Sequence, residues 1–250
     1  MITICNKKIL SFVPEWAQFR GFSYLFDHQD DNTLVNVDSV EQLRFLDCKE
    51  NIDLYKALKI SMDAIGGINL TNKYSLCPLP LSSYHVTVWD GINDSNLQKI
   101  SQKHQEDFAT FLEGLPQSFA HLPPFISTFS SCCDFGCICF RFKELQKFSN
   151  SVLVAVLEPA DHASSDILNT IVKFRRRLDD EWHQKYQKPK NRCYLPHISL
   201  GYFANRQFAE LATSRIGEWS NVFKAETDRV AICFNGISLY GFRDMVTFFK

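Results

Sequence analysis

Two short stretches of the chain each place a histidine two positions before a hydroxyl residue, within an apolar run. The first, SYHVTVWDG, contains His85 and Thr87. The second, LPHISLGYF, contains His197 and Ser199. On a β-strand, side chains alternate between the two faces at about 3.3 Å per residue, so residues two apart share a face. Each stretch therefore predicts a strand that presents one imidazole and one hydroxyl to the same surface.

Two imidazoles and two hydroxyls around one gap suit the hydrolysis of a phosphodiester. The unperturbed pKa of histidine is about 6.5, so near neutral pH one imidazole can take a proton from the attacking water. The other imidazole, protonated, can give a proton to the departing oxygen. The hydroxyls can donate hydrogen bonds to the non-bridging oxygens, where negative charge accumulates in the transition state. This scheme requires that the two strands lie side by side.

The pairing of the two motifs carries this interpretation, because either motif alone is weak. Among seven histidines, the pattern His-apolar-Ser/Thr-apolar is expected by chance roughly 0.1–0.2 times. A single match is explained as well by a half-buried strand histidine with a hydrogen-bonded neighbour. Two matches are expected in about one such chain in a hundred. Both also follow Pro-containing loops, CPLPLSS and QKPKNRCYLP, which indicates a structural duplication.

Two aromatic residues adjoin the motifs and are candidate substrate-binding residues. Trp89 has the same strand parity as the first motif pair, so it either edges the cleft and stacks on a base or lies in the core without a ligand. Tyr202 has the opposite parity from Ser199. It reaches the substrate only if a β-bulge at Gly201 shifts it to the other face.

Basic residues near the second motif are candidates for holding phosphate. Lys190 and Arg192 precede the motif and are placed to reach an incoming phosphate, and Arg192 is the predicted contact. The run KFRRR includes Arg175 and Arg176, which the helical period of the neighbouring apolar residues predicts to face solvent. Acidic residues follow this run, which favours a solvated, ion-paired face.

Composition argues against a long nucleic-acid footprint. The 250 residues include 27 basic and 28 acidic side chains, for a net charge of −1. Because each phosphate contact requires a basic residue, we expect a short substrate that is held by a few groups in one site. No apolar run approaches the roughly 18–20 residues of a membrane span, and the N-terminus lacks a signal-peptide pattern. We therefore expect a cytoplasmic protein, or a nuclear one in a eukaryotic cell, that does not bind membranes.

The cysteines number nine and are scattered through apolar segments. This odd number predicts reduced, buried thiols rather than a disulfide framework. The cluster of Cys132, Cys133, Cys137 and Cys139 lacks the C-x₂-C pairs of structural zinc sites, and CICFRF alternates like a strand. We therefore predict no metal site.

The order of the elements predicts an α+β fold with antiparallel sheet, because strands and helices do not alternate regularly. Strand-like stretches rich in Phe, Val, Ile and Tyr occupy residues 21–26, 84–89, 125–130, 137–142, 151–158, 197–203, 229–234, 236–242 and 245–249. Helical patterns occupy residues 39–65, 95–115 and 164–187. We expect Ser164 or Ser165 to cap the last of these helices.

The paired motifs resemble those of the two-histidine (2H) phosphoesterase superfamily, which includes the LigT-like 2′-5′ RNA ligases and cyclic phosphodiesterases. LSSYHVTVWDG, YLPHISLGYF and ISLYGFRDM are similar to a poorly characterised branch of it. The resemblance implies one bilobal domain over residues 1–250, with two pseudo-symmetric lobes of antiparallel sheet and flanking helices around a central cleft. It implies that His85 and His197 are the acid–base pair. Thr87 and Ser199 would bind the phosphate, with Ser at a position where many members have Thr.

Three functions follow as hypotheses. The first is a metal-independent phosphodiesterase that hydrolyses a 2′,3′-cyclic phosphate of a nucleotide or RNA end. The second is a hydrolase of 2′-5′-linked or cyclic oligonucleotide signals, which would use the same four residues. The third is a non-catalytic nucleotide- or RNA-binding module. We expect a monomer whose partner is a nucleotide or short RNA with a cyclic phosphate, and no cofactor. Residues 27–60 match nothing in the family pattern, and we expect a lid or lobe decoration there.

Overall fold

The computed structural model describes residues 2–12, 15–27, 52–127, 136–149, 151–191 and 193–250. Helices and strands mix along the chain, and every paired strand is antiparallel to its neighbour, so the predicted α+β class is confirmed. The strands are β1 (Gly21–Phe26), β2 (Leu76–Pro78), β3 (Thr87–Asn93), β4 (Ile138–Phe148), β5 (Val152–Pro159), β6 (His197–Phe203), β7 (Ala231–Phe234), β8 (Ile237–Phe242) and β9 (Phe248–Phe249).

The helices pack around the two sheets. They are α1 (Asp53–Ala64), α2 (Ile68–Tyr74), α3 (Gln102–Glu113), α4 (Gln117–Ala120), α5 (Pro124–Ser127), α6 (His162–Tyr186), α7 (Arg206–Leu211) and α8 (Ile216–Glu226). Short 3₁₀ turns occupy Leu81–Ser83, Leu97–Lys99 and Thr213–Arg215. None of the helices in the described ranges is both long and apolar enough to cross a membrane.

The strands form two sheets, with one motif strand in each. The first sheet has the order β3-β1-β8-β9, and the second has the order β2-β6-β5-β4-β7. β2 pairs with only the second half of β6, from Gly201 to Phe203. After the 3₁₀ turn that follows β2, Val86 makes an antiparallel bridge to Ile198 in the first half of β6. The chain then continues as β3 of the other sheet, so this bridge brings the two motifs together.

The sheets share an apolar core that is rich in phenylalanine. Phe26 of β1 stacks on Phe234 of β7 with ring centroids 4.8 Å apart, and it meets Phe140 of β4 edge-on at 5.6 Å. All three side chains are fully buried. Burying a phenylalanine contributes about 1.5–3 kcal/mol relative to leaving it exposed, so these contacts stabilise the packing of one sheet on the other.

Most of the predicted elements are present, with differences at their ends. α6 covers the predicted stretch and extends two residues further back, because the Asp161 side chain caps it by accepting a hydrogen bond from the Ser164 backbone N–H at 2.7 Å. The expected serine caps are therefore wrong. The strand predicted over residues 125–130 is wrong in its first part, since Pro124 opens the short helix α5 there. Proline is well tolerated in a first helical turn. The rest of that stretch, and most of residues 27–60, lie outside the described residues.

The cysteine prediction is wrong in one respect. Cys139 of β4 and Cys233 of β7 are direct cross-strand partners with Cα atoms 4.0 Å apart, and they form a disulfide. Cys137 is an exposed free thiol with its sulfur 3.9 Å from that of Cys139. The disulfide depends on the register between two strands whose cysteines are more than 90 residues apart in the chain. The number of cysteines gives no information about that register. Cys132 and Cys133 lie outside the described residues.

Candidate active site

The bridge between the two sheets sets the arrangement of the motif residues. In an antiparallel pair, the residues that flank a bridge lie opposite each other, with Cα atoms about 4.5–5.5 Å apart in regular strands. The Val86–Ile198 bridge therefore places His85 across from Ser199 and, on its other side, Thr87 across from His197. Each imidazole faces the hydroxyl of the other motif.

All four motif side chains line one cavity of about 360 Å³, which we call the central cavity. It opens between the sheets, and its walls also include Lys8, Asp90, Tyr202 and Phe248. The four residues predicted to act together are thus brought together on one surface.

Both imidazoles are held by the same backbone contact. Nδ1 of His85 lies 2.7 Å from the carbonyl oxygen of Ser83, and Nδ1 of His197 lies 2.8 Å from that of Leu195. A carbonyl oxygen only accepts hydrogen bonds, so Nδ1 carries the proton in each case. In the neutral imidazole Nε2 then carries the lone pair, and in the imidazolium Nε2 is the second donor. This contact to the residue two positions earlier is a feature of both motifs.

The environment of His197 favours its neutral form. The ring is half-buried and meets Phe148 with centroids 4.7 Å apart. Burial lowers the pKa of His197 below its ordinary value of 6.5, and this is the largest effect. The charges of Lys8 and Arg175 lower the pKa further. The hydrogen bond to Leu195 and the charge of Asp90 act in the opposite direction. His197 is therefore a proton acceptor at neutral pH. His85 has a similar aromatic neighbour, Phe248, at 4.5 Å.

The prediction that Trp89 edges the cleft is wrong. β1 pairs Tyr24 with Trp89 but Leu25 with Thr87, so β3 carries an extra residue there and the alternation reverses. Such a bulge re-aims the side chains that follow it. Trp89 is only 1% exposed and donates a hydrogen bond from Nε1 to the Asp179 carboxylate at 2.9 Å. Asp90 takes the place that Trp89 was expected to have on the cavity wall.

A second bulge places Tyr202 on the cavity wall. β5 pairs Val154 with Ser199 but Leu153 with Gly201, so β6 gains one residue between them. This is the irregularity on which the prediction for Tyr202 depended, and Tyr202 lines the central cavity. The two motif strands therefore share a longer pattern than the sequence suggested. A cavity-facing histidine and hydroxyl are followed, three residues after the hydroxyl, by a further cavity-facing side chain, Asp90 or Tyr202.

Lys8 is a residue of the cavity that the sequence reasoning missed. Its Nζ donates a hydrogen bond to the Tyr202 hydroxyl at 3.1 Å and lies 4.8 Å from the ring centre of Phe19. Among the described residues that line the central cavity, Lys8 is the sole lysine or arginine. Nothing in the turn NKKIL distinguishes Lys8 from the exposed Lys7, so only the tertiary fold identifies it.

The basic residues predicted beside the second motif have other positions. Lys190 pairs with Asp180 at 2.6 Å on the surface and does not line the cavity. Arg192 lies outside the described residues. Arg176 is exposed as expected, whereas the solvent-facing prediction for Arg175 is wrong, because its side chain is only 4% exposed.

A buried polar network lies behind the first motif. Asp179, on the same helix face as Arg175, accepts the hydrogen bond from Trp89 and pairs with the buried Lys188 at 3.7 Å. Its other oxygen accepts a hydrogen bond from the backbone N–H of Asn191 at 3.2 Å. Asp179 therefore connects α6 both to β3 and to the loop that leads into the second motif.

Two further contacts hold the backbone of β3 at the motif. Arg175 donates a hydrogen bond from Nε to the carbonyl oxygen of Val88. The Tyr194 hydroxyl donates to the carbonyl oxygen of Thr87 at 3.1 Å. The strand that carries Thr87 is thus fixed to the loop that leads into the second motif. Buried hydrogen bonds of this kind rigidify their surroundings.

Comparisons with known proteins give only remote similarities. No family model matches the chain, and no curated protein matches it. A conserved protein of unknown function from Agrobacterium tumefaciens has a TM-score of 0.48 and 14% identity, over 95% of this chain and 87% of that one. Kluyveromyces marxianus Usb1 with uridine monophosphate has a TM-score of 0.37 and 11% identity, over 92% and 96%. A second structure of this Usb1 has a TM-score of 0.33 and 14% identity, over the same shares. At these values the site itself must carry any functional argument.

Proposed function

We propose that this protein is a phosphodiesterase that hydrolyses a 2′,3′-cyclic phosphate, at a nucleotide or RNA end, by two-histidine acid–base catalysis. The observation that carries the proposal is the antiparallel placement of the motifs across the Val86–Ile198 bridge. It sets two imidazoles, each with Nδ1 tied to a carbonyl, beside two hydroxyls in one cavity. The resemblance of the motifs to those of the 2H phosphoesterases supports the same chemistry.

The two histidines have different roles in the proposed reaction. His197, kept neutral by its surroundings, accepts a proton at Nε2 from the attacking water. The water oxygen forms a bond to phosphorus, and the bond from phosphorus to one ribose oxygen breaks. His85, in its protonated form, donates its Nε2 proton to that departing oxygen. The product is a phosphomonoester, and proton exchange with solvent returns both imidazoles to their starting states.

The remaining groups of the cavity act on the phosphate oxygens. Thr87 and Ser199 donate hydrogen bonds to the non-bridging oxygens, whose negative charge increases in the transition state. The Lys8 ammonium supplies the positive charge on this wall. Together they provide local contacts to the phosphate in a protein whose net charge of −1 would not attract it.

The direct test is turnover of nucleoside 2′,3′-cyclic phosphates by the purified protein, with and without EDTA. We expect conversion to the monophosphate that resists the chelator, and a loss of about 10²- to 10⁴-fold in rate for His85→Ala and for His197→Ala. The control is His162→Ala, because His162 is exposed at the start of α6 and away from the cavity. Complete loss of activity in EDTA, or full activity in either cavity variant, would contradict the proposal.

The same experiment separates the alternative functions. A 2′-5′-linked dinucleotide in the substrate panel tests for cleavage of linear oligonucleotides by the same residues. If no phosphodiester is turned over while the wild type and both cavity variants bind nucleotide equally, the protein is a binding module.

A further inference from the structure

A second cavity adjoins the central one. It has a volume of about 460 Å³ and shares Thr87, Asp90 and His197 with the central cavity. Its outer wall is formed by Arg175 of α6 and by the loop before the second motif, including Asn191 and Cys193. We call it the side cavity. Because three residues line both cavities, the side cavity begins beside the position proposed for the phosphate.

Arg175 gives the side cavity its chemical character. Its guanidinium lies 4.2 Å from the ring centre of Tyr194, and its Nε donates a hydrogen bond to the Val88 carbonyl oxygen. Within the described ranges, no group accepts a hydrogen bond from its two Nη nitrogens. A guanidinium presents its donors as a rigid fork that matches phosphate oxygens. A nearly buried arginine that lines a cavity and whose Nη nitrogens have no acceptor within the described ranges is suited to bind an anion.

The charges around Arg175 are unbalanced. Arg175 and Lys188 are both buried, and the buried carboxylate beside them is Asp179, which is already engaged by Lys188 and Trp89. These three ionic groups carry a net charge of +1. The other nearby carboxylate, Asp90, acts to raise the pKa of both Arg175 and Lys188, but it is exposed at the wall that the two cavities share, where solvent screens its charge. An anion at the Arg175 end would compensate the buried positive charge, since an uncompensated buried charge is costly.

We propose that the side cavity binds a second phosphate of the substrate, the 5′-phosphate of the nucleotide whose cyclic phosphate lies between the histidines. This inference rests on the proposed function and makes it narrower. The preferred substrate is then a nucleotide within an oligonucleotide end, or a 5′-phosphorylated one, rather than a simple nucleoside cyclic phosphate.

The kinetic test uses two substrates that differ by one phosphate: adenosine 2′,3′-cyclic phosphate and its 5′-phosphorylated form. We expect kcat/KM to be about 10- to 100-fold higher for the second substrate, because one charge-assisted hydrogen bond typically contributes that much to binding. Arg175→Met should bring the ratio of the two values close to one. The matched control, Arg177→Met, removes the same charge from an exposed position of the same helix and should keep the ratio. A ratio near one in an active wild-type protein overturns the inference and leaves the proposed function standing.

A binding test keeps the inference falsifiable if Arg175→Met fails to fold or if neither substrate is turned over. Cys193 is an exposed thiol on the wall of the side cavity, so its alkylation reports occupancy. Adenosine 3′,5′-bisphosphate should slow alkylation of Cys193 at concentrations where adenosine 3′-monophosphate does not, whereas alkylation of the exposed Cys5 should not change. Protection without any turnover supports the side cavity and contradicts the proposed function. Equal alkylation with both nucleotides overturns the inference.

Discussion

At the scale of single residues, the tie from each imidazole to a carbonyl two positions earlier is the most informative feature. It selects the same tautomer in both motifs, so differences between the two rings must come from their wider surroundings. His197 lies within reach of the charges of Asp90, Lys8 and Arg175, and burial has the largest effect on its pKa. These surroundings are the basis for its proposed role as the base.

The pH profile tests this role. A base must be neutral, so kcat/KM should fall on the acid side only when pH drops through the pKa of His197. Because that pKa is lowered in the folded protein, the midpoint of the acid limb should lie below pH 6.5. Lys8 contributes to the lowering, so in Lys8→Met the midpoint should move to higher pH. A midpoint at or above 6.5 in the wild-type protein would count against His197 as the base.

Lys8 should also matter for substrate affinity. Its ammonium is the positive charge on the central cavity wall, so Lys8→Met should lower kcat/KM by about tenfold or more, the value of one hydrogen bond to a charged group. Lys7→Met is the matched control, because Lys7 is the adjacent, exposed lysine. Steady-state kinetics with one cyclic phosphate measures both variants. Equal losses in the two would indicate a general charge effect and remove Lys8 from the site.

At the scale of elements, the motif strands themselves were predictable and their irregularities were not. Enrichment in Phe, Val, Ile and Tyr located β1 and β6 with their observed ends, and helical spacing located α6. The other motif strand, β3, begins three residues later and ends four residues later than predicted. That each histidine shares a face with its hydroxyl follows from the two-residue period of a strand. The bulges in β3 and β6, however, depend on pairing with β1 and β5, and they decide the positions of Trp89 and Tyr202.

Arg175 illustrates a related limit of sequence reasoning. It is one of three consecutive arginines, and the period of the helix does place its neighbours in solvent. What buries it is the backbone of β3, whose Val88 carbonyl accepts its hydrogen bond. The residue types and spacing within one helix do not show which group of another element will lie against it. The residues that would hold substrate beyond the four motif residues, Lys8 and Arg175, are therefore visible only in the folded chain.

At the scale of the whole molecule, the chain passes from the second sheet to the first between β7 and β8. The disulfide from Cys139 to Cys233 fixes β7 to β4 just before this crossing. On the other side of the crossing, Asp27 accepts hydrogen bonds from the hydroxyls of Ser238 and Tyr240, both at 2.7 Å. These contacts anchor the connection between the sheets at both ends.

Removing the disulfide should therefore lower stability. A bridge that closes a long loop typically contributes about 2–4 kcal/mol to the free energy of unfolding. We expect dithiothreitol to lower the urea midpoint of the wild-type protein, and Cys233→Ser to lower it without any further response to the reductant. Cys5→Ser, at an exposed free thiol, serves as the control. An identical wild-type midpoint with and without reductant would show that the bridge contributes nothing to stability.

The bulges that follow the two motifs give the near-symmetric site a direction. With only its histidines and hydroxyls, the cavity would look alike from either end and could receive a phosphodiester turned either way round. Asp90 follows one bulge and Tyr202, with Lys8 beside it, follows the other, so the two ends of the cavity present different groups. One end has a carboxylate next to the side cavity and Arg175, and the other has a hydroxyl next to an ammonium. If the cavity binds a phosphodiester as proposed, these unequal ends distinguish the two orientations of the bound strand, and that orientation decides which ribose oxygen is released.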